Sequence, residues 1–190
     1  MIIAWRSGWA WRFQFLYAGV GAIGVGSAWF HGLLSHAGQQ GDETPMIWTI
    51  VTWVYCLLFI DPDTEKAHPT LQRVVGVAAV LFCAAWAVVH YMYSFVLVFQ
   101  GTFGAFVAVG LVMIYREWKK CDNPAARRLG VLYVVTLAFA FTLWNVDQIF
   151  CTGLHALPGG LPNPQFHAWW HVIVVSDSPG RGVGWSYDRS

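Results

Sequence analysis

His167 and His171, in the segment QFHAWWH, are four residues apart and stand on one face of any helix that contains them. This is the i, i+4 geometry by which helical histidine pairs grip zinc in metalloproteases. His31, far upstream, is a candidate third imidazole. Three protein ligands leave a fourth tetrahedral position for water, the arrangement of catalytic rather than structural zinc. The spacing equally fits a histidine pair that caps or hydrogen-bonds inside a helical bundle. Ser27 lies four residues before His31, on the same helical face, and Asp42 follows after a short connection. A carboxylate in that place can take a proton from a metal-activated water, and a hydroxyl can stabilise the oxyanion formed when that water attacks an amide carbonyl. The plainer roles are a helix N-cap for Asp42 and a small packing residue for Ser27.

The elements that must carry these residues are membrane helices. Of the 190 residues 57% are hydrophobic and 11% charged, and the mean hydropathy is +0.50, whereas soluble domains carry about a quarter charged residues. Crossing a bilayer takes roughly 20 apolar residues of helix. The sequence predicts an all-α polytopic bundle with full spans at 13–34, 46–60, 71–91, 94–115 and 129–151, and a partial last helix from about Gln165 to Val175. The 46–60 run needs Asp42 to Pro45 as its first turn, where the fixed φ of Pro45 suits an early helical position. Residues 1–12 form an N-terminal segment, 13–175 the transmembrane domain, and 176–190 a polar tail expected to be disordered. Ile2 and Ile3 run into Trp5 and Arg6, so no cleavable signal peptide is indicated.

Short cytosolic loops concentrate Lys and Arg. Arg116, Lys119, Lys120, Arg127 and Arg128 place the connection between the fourth and fifth spans in the cytosol, and the N-terminus with Arg6 and Arg12 follows by alternation. The 35–45, 91–94 and 152–164 connections then lie on the opposite face, where Lys and Arg are absent. His31, Asp147, His167 and His171 all fall near the non-cytosolic ends of their spans. Polar residues at that depth are costly unless paired or functional.

Other readings recede. A net charge of +1 without long basic runs offers no footprint for nucleic acid. Cys56, Cys83, Cys121 and Cys151 show no CxxC spacing, so neither a disulfide framework nor a thiolate cage is indicated. His36 and His155 read as loop residues, His68 as a turn residue before Pro69, and His90 as a span boundary; none is expected to bind metal.

Four segments in order, GVGSAWFHGLL, DETPMIW, LWNVDQIFC and QFHAWWH, resemble the alkaline ceramidase family, whose signatures include a Ser and His one turn apart, D-E-L-P-M-I, W-N-I-D-x-x-F-C and H-A-W-W-H. The resemblance implies a seven-helix membrane amidohydrolase, in the endoplasmic reticulum or Golgi, that cleaves ceramide to sphingosine and a fatty acid. It implies zinc on His31, His167 and His171, water activation by Asp42 and oxyanion assistance by Ser27. Asn145 and Asp147 are assigned to hydrogen bonding around the ligands or between helices, Trp169 and Trp170 to the wall or the interfacial belt. Three departures stand out. The family's first helix and its calcium-binding acidic segment have no counterpart here, and the last apolar run stops four residues after His171. Gln40-Gly41 and Thr44 replace family leucines, a change expected to loosen a loop. The chain therefore reads as truncated at both ends, with weak or absent turnover expected. A zinc-holding inactive fragment and a noncatalytic zinc-containing receptor of seven helices are the alternatives, and Asp42 favours hydrolase descent.

Overall fold

The computed structural model describes residues 11–33, 35–155 and 157–176. Among them the secondary structure is helical throughout. The elements are α1 (Trp11–Leu33), α2 (His36–Leu58), the short α3 (Pro62–Ala67), α4 (Pro69–Tyr93), α5 (Val96–Lys120), α6 (Pro124–Ile149), the five-residue α7 (Cys151–His155), a 3-10 turn at Pro158–Gly160 and α8 (Phe166–Ser176). Residues 1–10 and 177–190 lie outside the described residues, and Ser176, expected as the first residue of the tail, is the last of α8. Among the described residues four helices, α1, α4, α5 and α6, are long and apolar enough to cross a membrane. Their side chains face outward along most of their length, with Leu97 82% and Val80 68% exposed. Apolar surface on this scale fits hydrocarbon rather than water.

Two sequence expectations need correction. Residues 35–45 are not a connection: α2 starts ten residues before the apolar run, capped by Ser35, whose Oγ accepts from the Gly38 amide at 3.1 Å. Asp42 is therefore no N-cap, and Pro45 sits in the helix interior. Gly38 and Gly41 are the cause of the misreading, since glycines near a polar stretch normally mark a loop. The predicted span 46–60 becomes the apolar half of a 23-residue helix whose first half carries His36, Gln39, Gln40, Asp42 and Glu43. The other helices begin within a few residues of the expected positions, α1 at Trp11 and α6 at Pro124, where the Asn123 side chain accepts from the Ala125 and Ala126 amides. Asp61 caps α3 in the same way, accepting from the Asp63 amide and the Thr64 hydroxyl.

The chain forms two compact units, Met1–Arg116 and Glu117–Ser190. In the first, α1 packs along α2, and α2 along α4. Ile47, fully buried, and Val51 of α2 meet Phe99 of α5, with Trp86 and Phe103 alongside. Gly110 of α5 lets the Trp53 ring in so closely that an added Cβ would lie 1.9 Å from it. In the second unit α8 packs on α6. Helices in lipid gain little from apolar burial against one another, so close backbone approach and polar contacts decide such packing.

Candidate active site

The α1–α2 crossing builds the first cluster of candidate residues. A Cβ at Gly26 would come 1.8 Å from the Gly41 carbonyl oxygen, one at Gly19 would meet Thr49 Oγ1 at 2.3 Å, and one at Gly38 would meet the Phe30 Cα at 2.9 Å. The pairs 19/49, 26/41 and 30/38 define one antiparallel register. Pro45 contributes to it: lacking an N–H, it cannot donate to the carbonyl four residues earlier, which is that of Gly41. The carbonyl that approaches Gly26 is thus one that the helix does not use in the ordinary way. Gly41 therefore tightens a helix crossing; the expected loosened loop does not form.

That register puts Ser27 beside Asp42. Both are buried, at 6% and 3% exposure, and the Ser27 hydroxyl is in hydrogen-bonding reach of the Asp42 carboxylate. Asp42 Oδ1 is nonetheless buried without a hydrogen-bond partner. A His31 ring nitrogen lies within 4.8 Å of an Asp42 carboxylate oxygen, and His31 itself is exposed at the end of α1.

A second cluster stands on α8. His167 Nε2 and His171 Nε2 face each other at 3.1 Å, both half-buried. Two imidazoles on one tetrahedral zinc, each about 2.05 Å away, have nitrogens about 3.3 Å apart. The pair as it stands therefore fits a shared metal ion. Trp170, only 4% exposed, holds this turn against α6 through Phe141 and Trp144, with ring centroids at 6.2 and 6.4 Å. Trp169 points outward at 54% exposure, as a belt residue would. On α6, Asn145 Nδ2 donates to the Phe141 carbonyl of its own helix at 2.7 Å, and Asp147 is half-buried two residues on.

Sequence reasoning passed over one pair. Glu43, next to Asp42, bonds His90 of α4, at 2.5 Å from Oε2 to Nε2. The available signal was a titratable residue on each of two largely apolar helices. His90 is 2% exposed, and His36, expected in a loop, lies in the first turn of α2, its Nε2 3.1 Å from the Tyr91 carbonyl. His155, also expected in a loop, closes the short α7. The cysteines are free.

The sequence profile of the ceramidase family matches residues 1–180. Over 167 residues the chain is 30% identical to an alkaline ceramidase of Arabidopsis thaliana, covering 88% of this chain and 62% of that protein. Over 170 residues it is 28% identical to alkaline ceramidase 3 of Mus musculus, covering 86% and 61%. Over 159 residues it is 26% identical to an alkaline ceramidase of Drosophila melanogaster, covering 80% and 51%. The chain spans about half to three fifths of the length of these relatives.

Proposed function

Since the chain belongs to the ceramidase family, we propose that it hydrolyses the amide bond of ceramide or a related sphingolipid within the membrane, releasing sphingosine and a free fatty acid. The observation that carries this reading is Asp42, a buried carboxylate with Ser27 on one side and one oxygen free of hydrogen bonds. Leaving such an oxygen unengaged costs free energy, which is accounted for if substrate water or another polar group meets it during turnover.

His31, His167 and His171 are proposed to converge as the ligands of one zinc ion. When bound, zinc supplies acidification of a water and polarisation of the amide carbonyl. Asp42 takes one proton of the attacking water while the remaining hydroxyl adds to the acyl carbon. Ser27, whose hydroxyl can turn from Asp42 to the substrate, donates to the carbonyl oxygen as negative charge builds there. Asp42 then returns the proton to the departing amine nitrogen, so that water is divided between acid and amine. Asn145 and Asp147, on the helix that packs against α8, are assigned to orienting the histidine pair. Trp169, exposed on α8, suits the bilayer interface. The substrate is itself a lipid and reaches such a site from the bilayer.

The test is release of labelled fatty acid from ceramide in vesicles containing the purified chain, with metal analysis of the same sample. Expected are about one zinc per chain, loss of turnover on chelation, and recovery on adding zinc back. Folded protein without zinc, or hydrolysis that survives complete chelation, would sink the reading.

A further inference from the structure

Asp42 and Glu43 are consecutive carboxylates on α2, about 100° apart around its axis, and their surroundings differ in kind. Asp42 faces α1 and keeps one oxygen unengaged. Glu43 is satisfied at both oxygens: Gln39 Nε2 donates to Oε1 at 3.1 Å, and His90 Nε2 bonds Oε2. The His90 ring is held in turn, stacked on Trp86 at 5.6 Å and 19° and on Phe99 at 5.9 Å and 29°. Further polar contacts run along the same α2–α4 seam: Gln40 Nε2 to Ser94 Oγ, His36 to the Tyr91 carbonyl and to Ser94, and Trp48 Nε1 to the Cys83 carbonyl. Around Asp42, the α1 side contributes glycines, whose lack of side chains permits close approach but does not resist rotation of α2.

We infer that Glu43 and His90 are a positioning pair for the hydrolysis proposed above: they fix the rotation and axial register of α2 and thereby aim Asp42 at Ser27. A half-buried, doubly satisfied carboxylate against a buried ring clamped by two aromatics permits one rotation of its helix; any other leaves the buried His90 ring unpaired, which is costly in a membrane protein. Because Asp42 immediately precedes Glu43, that rotation is also Asp42's.

The inference rests on the hydrolase reading for its kinetic arm only. In the full chain, Glu43→Ala and His90→Ala lower kcat roughly tenfold to a hundredfold, with KM within about twofold and zinc content unchanged. Glu43→Gln, which keeps the side-chain length and one acceptor oxygen for His90, retains most of the rate. In an Asp42→Asn background Glu43→Ala causes no further loss, because the pair acts through Asp42. The second arm needs no activity: Ser27→Cys with Asp42→Cys is oxidised and the linked peptide quantified by mass spectrometry, and adding Glu43→Ala lowers its yield severalfold while Glu43→Gln does not. If the alanine variants fail to insert, Glu43→Asp, shorter by one methylene, carries the same expectation. An unchanged cross-link, or an equal loss of rate in the Asp42→Asn background, overturns the inference. A Glu43-dependent cross-link in a chain that hydrolyses no ceramide supports the positioning pair and overturns the hydrolase reading.

Discussion

The proposed site has two halves, one in each compact unit, and they are held by opposite means. The Ser27–Asp42 half depends on missing side chains: Gly26 and Gly41 let α1 and α2 touch backbone to backbone. The His167–His171 half depends on a large one, with Trp170 wedged against Phe141 and Trp144. At Gly26 the glycine contact leaves no room for an added side chain, because a Cβ there would meet the Gly41 main-chain carbonyl. An aromatic contact spreads over many atoms, so part of it survives a smaller ring. The carboxylate proposed to activate water stands on the half that tolerates no added side chain, and its rotation is left to the Glu43–His90 pair.

The largest effects should separate the two halves chemically. His167→Ala is expected to abolish both zinc binding and ceramide turnover, whereas Asp42→Ala abolishes turnover and leaves zinc in place, since aspartate is not among the proposed ligands. Metal content and sphingosine release on the same preparations decide it, and zinc lost from Asp42→Ala would move that carboxylate into the ligand set. Next comes the glycine crossing. Gly26→Val drives side-chain carbon into the Gly41 carbonyl and should destabilise the first unit by about 3 kcal/mol or more, seen as a lower unfolding midpoint in detergent. A tolerated Gly26→Val would show that the crossing can open and would erase the contrast.

Trp170→Ala should cost about 3 kcal/mol and weaken zinc binding, while Trp170→Phe keeps part of the packing and loses much less; equal losses for the two would show that the aromatic half is as unyielding as the glycine half. The smallest effect belongs to the exposed Glu117–Lys120 pair, 2.7 Å apart but well solvated. Lys120→Ala should change stability by no more than about 0.5 kcal/mol. In intact cells a label on a cysteine in the 116–128 segment is expected to react from the cytosolic side, and one in 152–164 is not; the reverse would invert the proposed topology.

Much of the molecule was legible before any coordinates. Long apolar runs imply helices wherever backbone polar groups must be satisfied without water, and α4, α5 and α6 lie close to where those runs predict them. The i, i+4 rule put His167 and His171 on one helix face, and their ring nitrogens do meet. The start of α2 was not legible. Gly38, Gly41 and five polar side chains imitate a loop, and the cap at Ser35 competes weakly with that pattern in sequence. Only the neighbouring helix reveals why glycine is wanted there.

The sequence by itself determined the helical membrane architecture, the family and the residue types available for zinc and proton chemistry, because composition, span length and local spacing depend on near neighbours along the chain. Which of two consecutive acids keeps an oxygen without a hydrogen bond was decided by tertiary structure. Asp42 and Glu43 are nearly alike in sequence, and their difference arises from partners 15 and 47 positions away, Ser27 and His90. One helix rotation turns one carboxylate toward a hydroxyl at a glycine crossing and the other into a closed hydrogen-bonded clamp. Local sequence constrains that rotation weakly; packing against two other helices sets it.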